Sequence, residues 1–380
     1  MATTLEKYKG CLLGGAAGDA LGYPVEFRNR EEICKIYGEN GICHYELFRG
    51  KAYISDDTQM TLFTANGLLI GYTRSCLRGI MGPWQSYVEV AYKDWLKTQD
   101  KFYRQKNPKG HCWLLNYEEF YYNRAPGNTC ISALHYEKCG SVEKPINDSK
   151  GCGGVMRVAP VGLYLSKHTR SIEELDKAGA QVAAITHGHP LGYIPAAALA
   201  HIIARCVTSE TDLESIIREA VDTVCKIFAN EKYVEDFREI MEKAIKLSKS
   251  ELSDWEAVSL LGEGWVAEET LAIAVYCALK YKDDFAKGIV AAVNHDGDSD
   301  STGAVTGNIL GAYLGIGQIP QEFHEPLELK DVIEELAVDM HEDCKMSEYG
   351  TYRDETWVKK YVTGEYCGRS EKSCNDVIKR

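Results

Sequence analysis

Between Asn294 and Thr302 the chain runs Asn-His-Asp-Gly-Asp-Ser-Asp-Ser-Thr, three aspartates on alternate positions followed by hydroxyl side chains. Carboxylates this dense repel one another unless a cation sits among them. Donors that are all oxygen suit a hard ion such as Mg²⁺, Ca²⁺ or Mn²⁺. An EF-hand loop is the first rival. With Asp296 at its first position, Ser301 falls where glycine is needed and Gly307 where a bidentate glutamate is needed. A plainer rival is an acidic turn in which Ser301 or Thr302 caps the helix that follows.

A second acidic cluster, Ser55-Asp56-Asp57-Thr58-Gln59, lies far upstream and leads into an apolar run from Met60 to Ile70. Two such helix starts facing each other would supply enough oxygens for two octahedral ions about 4 Å apart.

Other stretches could complete a site. Gly18-Asp-Ala-Leu-Gly-Tyr-Pro-Val-Glu26 ends a helical stripe, and Gly22 and Pro24 break it. Asp19 suits a structural hydrogen bond to a neighbouring backbone, while Glu26 is freer, with catalytic and surface roles both open. Gly151-Cys152-Gly153-Gly154-Val155-Met156-Arg157 is a glycine-rich loop whose N–H groups could cradle a diphosphate. It lacks the Lys-Ser/Thr of a P-loop, which disfavours ATP hydrolysis. Pro126-Gly127-Asn128-Thr129 is a further turn, with Thr129 as a candidate cap. In Thr186-His187-Gly188-His189-Pro190, no third ligand stands at a zinc spacing, so ligand hydrogen bonding or structural satisfaction is favoured over metal. Gly262-Glu263-Gly264-Trp265 is either a loop over a pocket or a packed turn.

The elements that must carry these residues are helices. Apolar stripes at helical spacing run through Leu5 to Asp19, Leu213 to Phe228, Phe237 to Ile245 and Leu271 to Leu279. Gly151 to Val161 has the look of a strand but no alternating partner. Segments rich in Ala and Gly (14–22, 178–184, 196–200 and 303–315) are expected at the centre, where small side chains let helices approach closely. Residues 74–150 are dense in aromatics, expected as amphipathic helices that use them as core, with a partner-gripping rim as the rival. The tail after Lys345 has no clear period and is expected as a surface extension or small hairpin.

With 380 residues the chain can bury a large core. Its net charge of −13 argues against broad contact with nucleic-acid phosphates. The 14 cysteines are too sparse for a disulfide scaffold and none form C-x-x-C, which fits a reducing compartment. No signal peptide or membrane span is expected: the apolar run from Cys11 is broken by Asp19. The expected location is cytoplasmic.

In order along the chain, G18DALGYPVE26, S55DDTQ59, P126GNT129, G151CGGVMR157, T186HGHP190, L261GEGWVAEE269 and D296GDSDSTGA304 resemble the ADP-ribosylglycohydrolase family, which includes dinitrogenase-reductase-activating glycohydrolase. The resemblance spans roughly residues 5–316. It implies an all-α, compact orthogonal helical bundle (1–345, with 346–380 as an extension) around a binuclear centre of two Mg²⁺ or Mn²⁺. The implied metal ligands are Ser55, Asp56, Asp57, Asp298, Asp300 and Ser301, the last a Thr in many members. Glu26 and Asp56 are the implied catalytic carboxylates. Gly127, Asn128, Thr129, Gly151, Cys152, Gly153, Gly154 and His187 are the implied substrate contacts. Many members have Asn where Cys152 stands. The implied reaction frees ADP-ribose from a modified protein, with arginine as the first linkage. Serine-linked or small-molecule conjugates are the alternative, and a non-catalytic ADP-ribose binder is a third. ADP-ribose and ADP-ribosylated protein are then the partners, with no nucleic acid or membrane, and the oligomeric state is open.

Overall fold

Gly10, Gly14, Gly18 and Gly22 recur at one-turn spacing along the helix Thr4–Gly22, as Gly303, Gly307 and Gly311 do along the helix Ser299–Leu314. The two helices lie antiparallel, with Gly10 against Gly311, Gly14 against Gly307, Gly18 against Gly303 and Gly22 against Ser299. A methyl group on any of these glycines would collide with the facing backbone carbonyl. Only residues without a Cβ permit main chains to meet this closely. This seam is the axis of the molecule.

The computed structural model describes residues 2–368, and helix is the only extended regular structure among them. Isolated bridges are the only β-type pairings in that span. The N-terminal helix starts with a capping box between Thr3 and Glu6. It is buried on nearly every face; even Lys7 is covered, its Nζ donating to the Cys206 carbonyl at 2.9 Å. The sequence stripe from Leu5 to Asp19 is therefore one side of a helix enclosed from Gly10 onward.

The helix Pro190–Thr208 crosses the interior. Pro190 occupies its first turn and His189 caps it, the Leu191 N–H donating to His189 Nδ1 at 3.0 Å. This helix is long and apolar enough to cross a membrane, which amends the expectation that no such stretch exists, but 89% of it is buried inside the protein. A helix apolar all round is a core helix when neighbours cover it. Further out, Leu213–Ile227 and Val234–Leu247 each bury one stripe and expose a charged face, joined by Arg218–Glu242 at 3.1 Å and Arg238–Asp222 at 2.7 Å.

The aromatic region divides. Tyr92 and Trp95 on the helix Trp84–Gln99 are fully buried, as are Trp113 and Phe120, whereas Phe102 is 77% exposed. Beyond the short helix Lys101–Lys106 the backbone runs in 3₁₀ turns and irregular chain up to residue 127, so core packing by aromatics holds but amphipathic helices do not. The described part of the tail has no hairpin. It carries the helical turn Glu355–Val358 and docks on the body: Trp357 Nε1 donates to Thr73 Oγ1 at 2.9 Å and Lys360 pairs with Asp339 at 2.6 Å. Residues 369–380 of the expected extension lie outside the described residues.

Candidate active site

The antiparallel seam sets the end of one helix beside the start of the other. At that end Asp19 accepts the Ser55 N–H at 2.9 and 3.1 Å, the Thr58 N–H at 3.1 Å and the Thr58 hydroxyl. Asp19 thus anchors the start of the helix Asp56–Arg78, the structural role its surroundings in the sequence suggested. Ser55 caps that helix, its Oγ accepting the Asp57 N–H at 3.2 Å. On the other strand of the seam Asp298 is the cap, accepting the Ser301 N–H at 3.3 Å. Ser301 and Thr302, the caps offered by the plainer rival reading, lie inside the first turn because the helix begins at Ser299. The Ser301 hydroxyl is thereby free to donate to Asp57 Oδ1, at 2.8 Å. Acidic turns 244 positions apart meet at this bond.

Ser55, Asp56, Asp57, Asp298, Asp300, Ser301 and Glu26 are all buried here. Burial, and then the charge of Asp300, pushes Asp56, Asp57 and Asp298 well above the ordinary carboxylate range, and Asp19 to about 7. Asp300 itself is raised by burial. Glu26 is pushed up to about 10 by burial and the surrounding aspartates, and its Oε2 is enclosed without a hydrogen-bond partner. Two helix N-termini aim partial positive charge at the cluster, but that falls short of neutralising so many carboxylates. Among the described residues, no three His, Cys, Asp or Glu side chains stand in the geometry that encloses an ion. Several of the oxygens are engaged with one another, as in Ser55 Oγ to Asp57 Oδ2 at 3.3 Å.

The remaining expected residues surround this cluster unequally. Gly127 donates its N–H to Asp56 Oδ2 at 3.3 Å, tying the turn to the acids. Asn128 opens a short helix at the exposed rim. Thr129 falls inside its first turn rather than capping it, with its hydroxyl 3.3 Å from Ser149 Oγ. The Gly151–Val161 stretch is not a strand. Cys152–Gly154 form a 3₁₀ turn and Ala159–Leu165 a helix, with a single bridge from Gly151 to Val266. Part of the loop's N–H supply is already engaged: Cys152 donates to Trp265 O at 3.1 Å and Val155 to Cys152 O at 2.8 Å. The Cys152 thiol, its pKa raised by burial and then by Asp298, lies beside that carboxylate. His187 is 2% exposed and packs behind the loop, where a Cβ on Gly153 would stand 3.0 Å from its ring.

Three groups escaped the sequence reading. Arg157 ends the glycine motif and is fully buried beneath it. Thr186 bonds both Arg157 and His187. Phe27 and Trp265, one residue after Glu26 and at the end of the Gly262 turn, stack at 5.8 Å with planes 18° apart, Phe27 being 72% exposed. A lone arginine in an apolar run was the available signal for the first; nothing local pairs Phe27 with Trp265.

The family model for ADP-ribosylglycohydrolase matches residues 1–349. ADP-ribosylhydrolase ARH3 of Homo sapiens is 24% identical over 377 residues, covering 90% of this chain and 94% of that protein. An ADP-ribosylarginine hydrolase of Serratia proteamaculans is 23% identical over 342 residues, covering 88% of this chain and 78% of its own. A solved structure titled ADP-ribosylglycohydrolase-related protein complex shares the fold, with a TM-score of 0.58 at 22% identity over 90% of this chain and 99% of that one. The convergent acidic helix starts and the match along nearly the whole length agree, and the chain belongs to the ADP-ribosylglycohydrolase family, glycosidic-bond hydrolases that act on ADP-ribosylated substrates.

Proposed function

We propose that the protein is a divalent-metal-dependent hydrolase that releases ADP-ribose from a modified protein side chain, with arginine as the linkage. The observation that carries this is the 2.8 Å bond from Ser301 to Asp57, which joins the two acidic helix starts in one buried cluster. The donor set fits a hard divalent ion: every candidate ligand is an oxygen, the carboxylates are driven upward by burial and mutual repulsion, and Glu26 Oε2 lacks a partner. Ser55, Asp56, Asp57, Asp298, Asp300 and Ser301 would hold the two Mg²⁺ or Mn²⁺ ions. When bound, the ions would supply Lewis-acid polarisation of ribose hydroxyls and water.

The chain's own residues do the rest. The glycine loop seats the diphosphate and so fixes the distal ribose against the acidic cluster, using remote binding energy to place the reacting carbon. The bond from ribose C1″ to the side-chain nitrogen breaks with its electron pair going to nitrogen, through an oxocarbenium-like state. Water oxygen bonds to C1″, and Glu26 and Asp56 divide the two proton transfers, one from the water and one to the leaving nitrogen. Arginine is favoured by the name of the Serratia relative. The cytoplasmic setting expected from cysteines too sparse for a disulfide scaffold goes with this reading.

The test incubates the protein with Mg²⁺ and protein substrates of defined linkage. Free ADP-ribose from the arginine-linked substrate, lost on chelation and restored by Mg²⁺, is the expected result. Release from the serine-linked substrate alone overturns the arginine assignment, and release undiminished by chelation overturns the metal.

A further inference from the structure

Beneath the glycine loop lies a buried cation whose partners are all uncharged. Arg157 is 0% exposed. Its Nη2 donates to Thr186 Oγ1 at 2.6 Å, and its Nη1 to Cys130 Sγ at 3.2 Å and Met60 Sδ at 3.4 Å. Its guanidinium lies 4.3 Å from the centre of the Tyr92 ring, and its Nε is enclosed without a partner. A guanidinium costs several kcal/mol to remove from water, so its retention among neutral groups needs a reason.

The hydrogen bonds supply one. A guanidinium can only donate, so Thr186 Oγ1 accepts from it and must point its own hydrogen elsewhere. Two acceptors stand beside that hydroxyl: His187 Nδ1 at 2.8 Å and the Cys130 sulfur. Imidazole nitrogen is the stronger acceptor, so the hydrogen goes to Nδ1. Burial and the Arg157 charge hold the His187 pKa at about 3, which keeps the ring neutral at every ordinary pH. A neutral imidazole that accepts at Nδ1 carries its proton on Nε2. That edge faces the loop: a Cβ on Gly151 or on Gly153 would stand 3.3 Å from Nε2. Among the described residues the ring's one hydrogen bond is the one at Nδ1.

We propose that Arg157 and Thr186 are positioning residues that fix His187 as the Nε2–H tautomer, so that the ring donates a hydrogen bond past the side-chain-free glycines to an oxygen of the bound diphosphate. The proposal rests on the reading above that the diphosphate lies on this loop. It also gives the glycines at 151 and 153 a second duty, leaving the ring edge uncovered.

Two readouts test it, one independent of turnover. Long-range ¹H–¹⁵N spectra of the histidine-labelled, ligand-free protein, assigned against His187→Gln, should show Nδ1 unprotonated and Nε2 protonated. Thr186→Val should disturb that tautomer and weaken ADP-ribose binding by calorimetry about tenfold or more, the worth of one hydrogen bond to an ionised acceptor. Thr186→Ser, which keeps the hydroxyl, should restore both; a merely structural Thr186 would leave the tautomer signature unchanged in the valine variant. A proton on Nδ1 in the wild type overturns the relay, and so does an unaltered tautomer in Thr186→Val. The expected tautomer with ADP-ribose affinity indifferent to Thr186→Val overturns the diphosphate contact. Failure of the hydrolase reading would appear in the release assay and not in the spectrum, so the two cannot be confused.

Discussion

The glycine seam and the outer pair of helices bury residues by opposite means. Along Thr4–Gly22 and Ser299–Leu314 the contact is main chain on main chain, and side chains are what must be absent. Along Leu213–Ile227 and Val234–Leu247 the contact is a stripe of Ile, Val, Phe and Met, with charges outside. A stripe of branched side chains tolerates small changes of volume because neighbours can shift. Two touching backbones cannot shift without parting over their whole length. The difference shows where the molecule spends rigidity: the seam ends at the acidic cluster, and the outer pair does not touch it.

The largest effect should come at the seam's functional end. Asp57→Ala or Asp300→Ala should lower turnover about 10³-fold or more while the helical circular dichroism spectrum persists. Activity surviving in both would show that the seam positions something other than the reacting groups. Next, Gly307→Ala should cost about 3 kcal/mol or more, because its methyl meets the Gly14 carbonyl, and should depress activity beyond the loss of folded protein. Denaturant melts beside specific activity separate those two losses. On the outer pair, Ile217→Val should cost only about 1 kcal/mol and leave specific activity intact, although Ile217 is fully buried. An activity loss there would dissolve the contrast between the two regions.

The smallest effect lies at the periphery. Burial alone would raise the Asp254 carboxyl, but hydrogen bonds from Lys280, Tyr281 and Tyr276 overcome it and hold it below 3.8. A carboxyl held low stabilises the fold above its unfolded value, and that contribution fades as pH falls below about 4. Asp254→Asn should remove this acid-side slope, about 1 kcal/mol at most given the side chain's partial exposure to screening solvent. Melts at neutral and acid pH would show it.

Much of this plan was legible in the sequence. The outer stripes fell where the helices are, because an amphipathic helix writes its period into its residues. The small-residue runs marked the centre, and the two acidic clusters were expected to converge, as they do at Ser301 and Asp57. What stayed hidden depended on neighbours distant in the chain. Gly151–Val161 mimicked a strand because a 3₁₀ turn followed by a short buried helix shows no period. Residues 107–127 bury aromatics without α-helices, since Trp113 and Phe120 sit on single 3₁₀ turns too short to show a period. The cap fell to Asp298 because the helix starts earlier than the hydroxyls suggested. Arg157 looked like an ordinary end to a motif, since its need for Thr186 and Cys130 arises only when those segments fold over it.

The partner that completes the N-terminal helix sits in the last quarter of the chain, and this has a consequence for biosynthesis. While the ribosome is still translating the middle of the message, the first helix has emerged without the glycine-lined partner that makes its closest contact. That partner arrives only once the segment from Ser299 is made, so assembly of the acidic cluster is necessarily a late event. Until then the nascent polypeptide presents a sticky segment that has to be shielded, by provisional packing or by a chaperone.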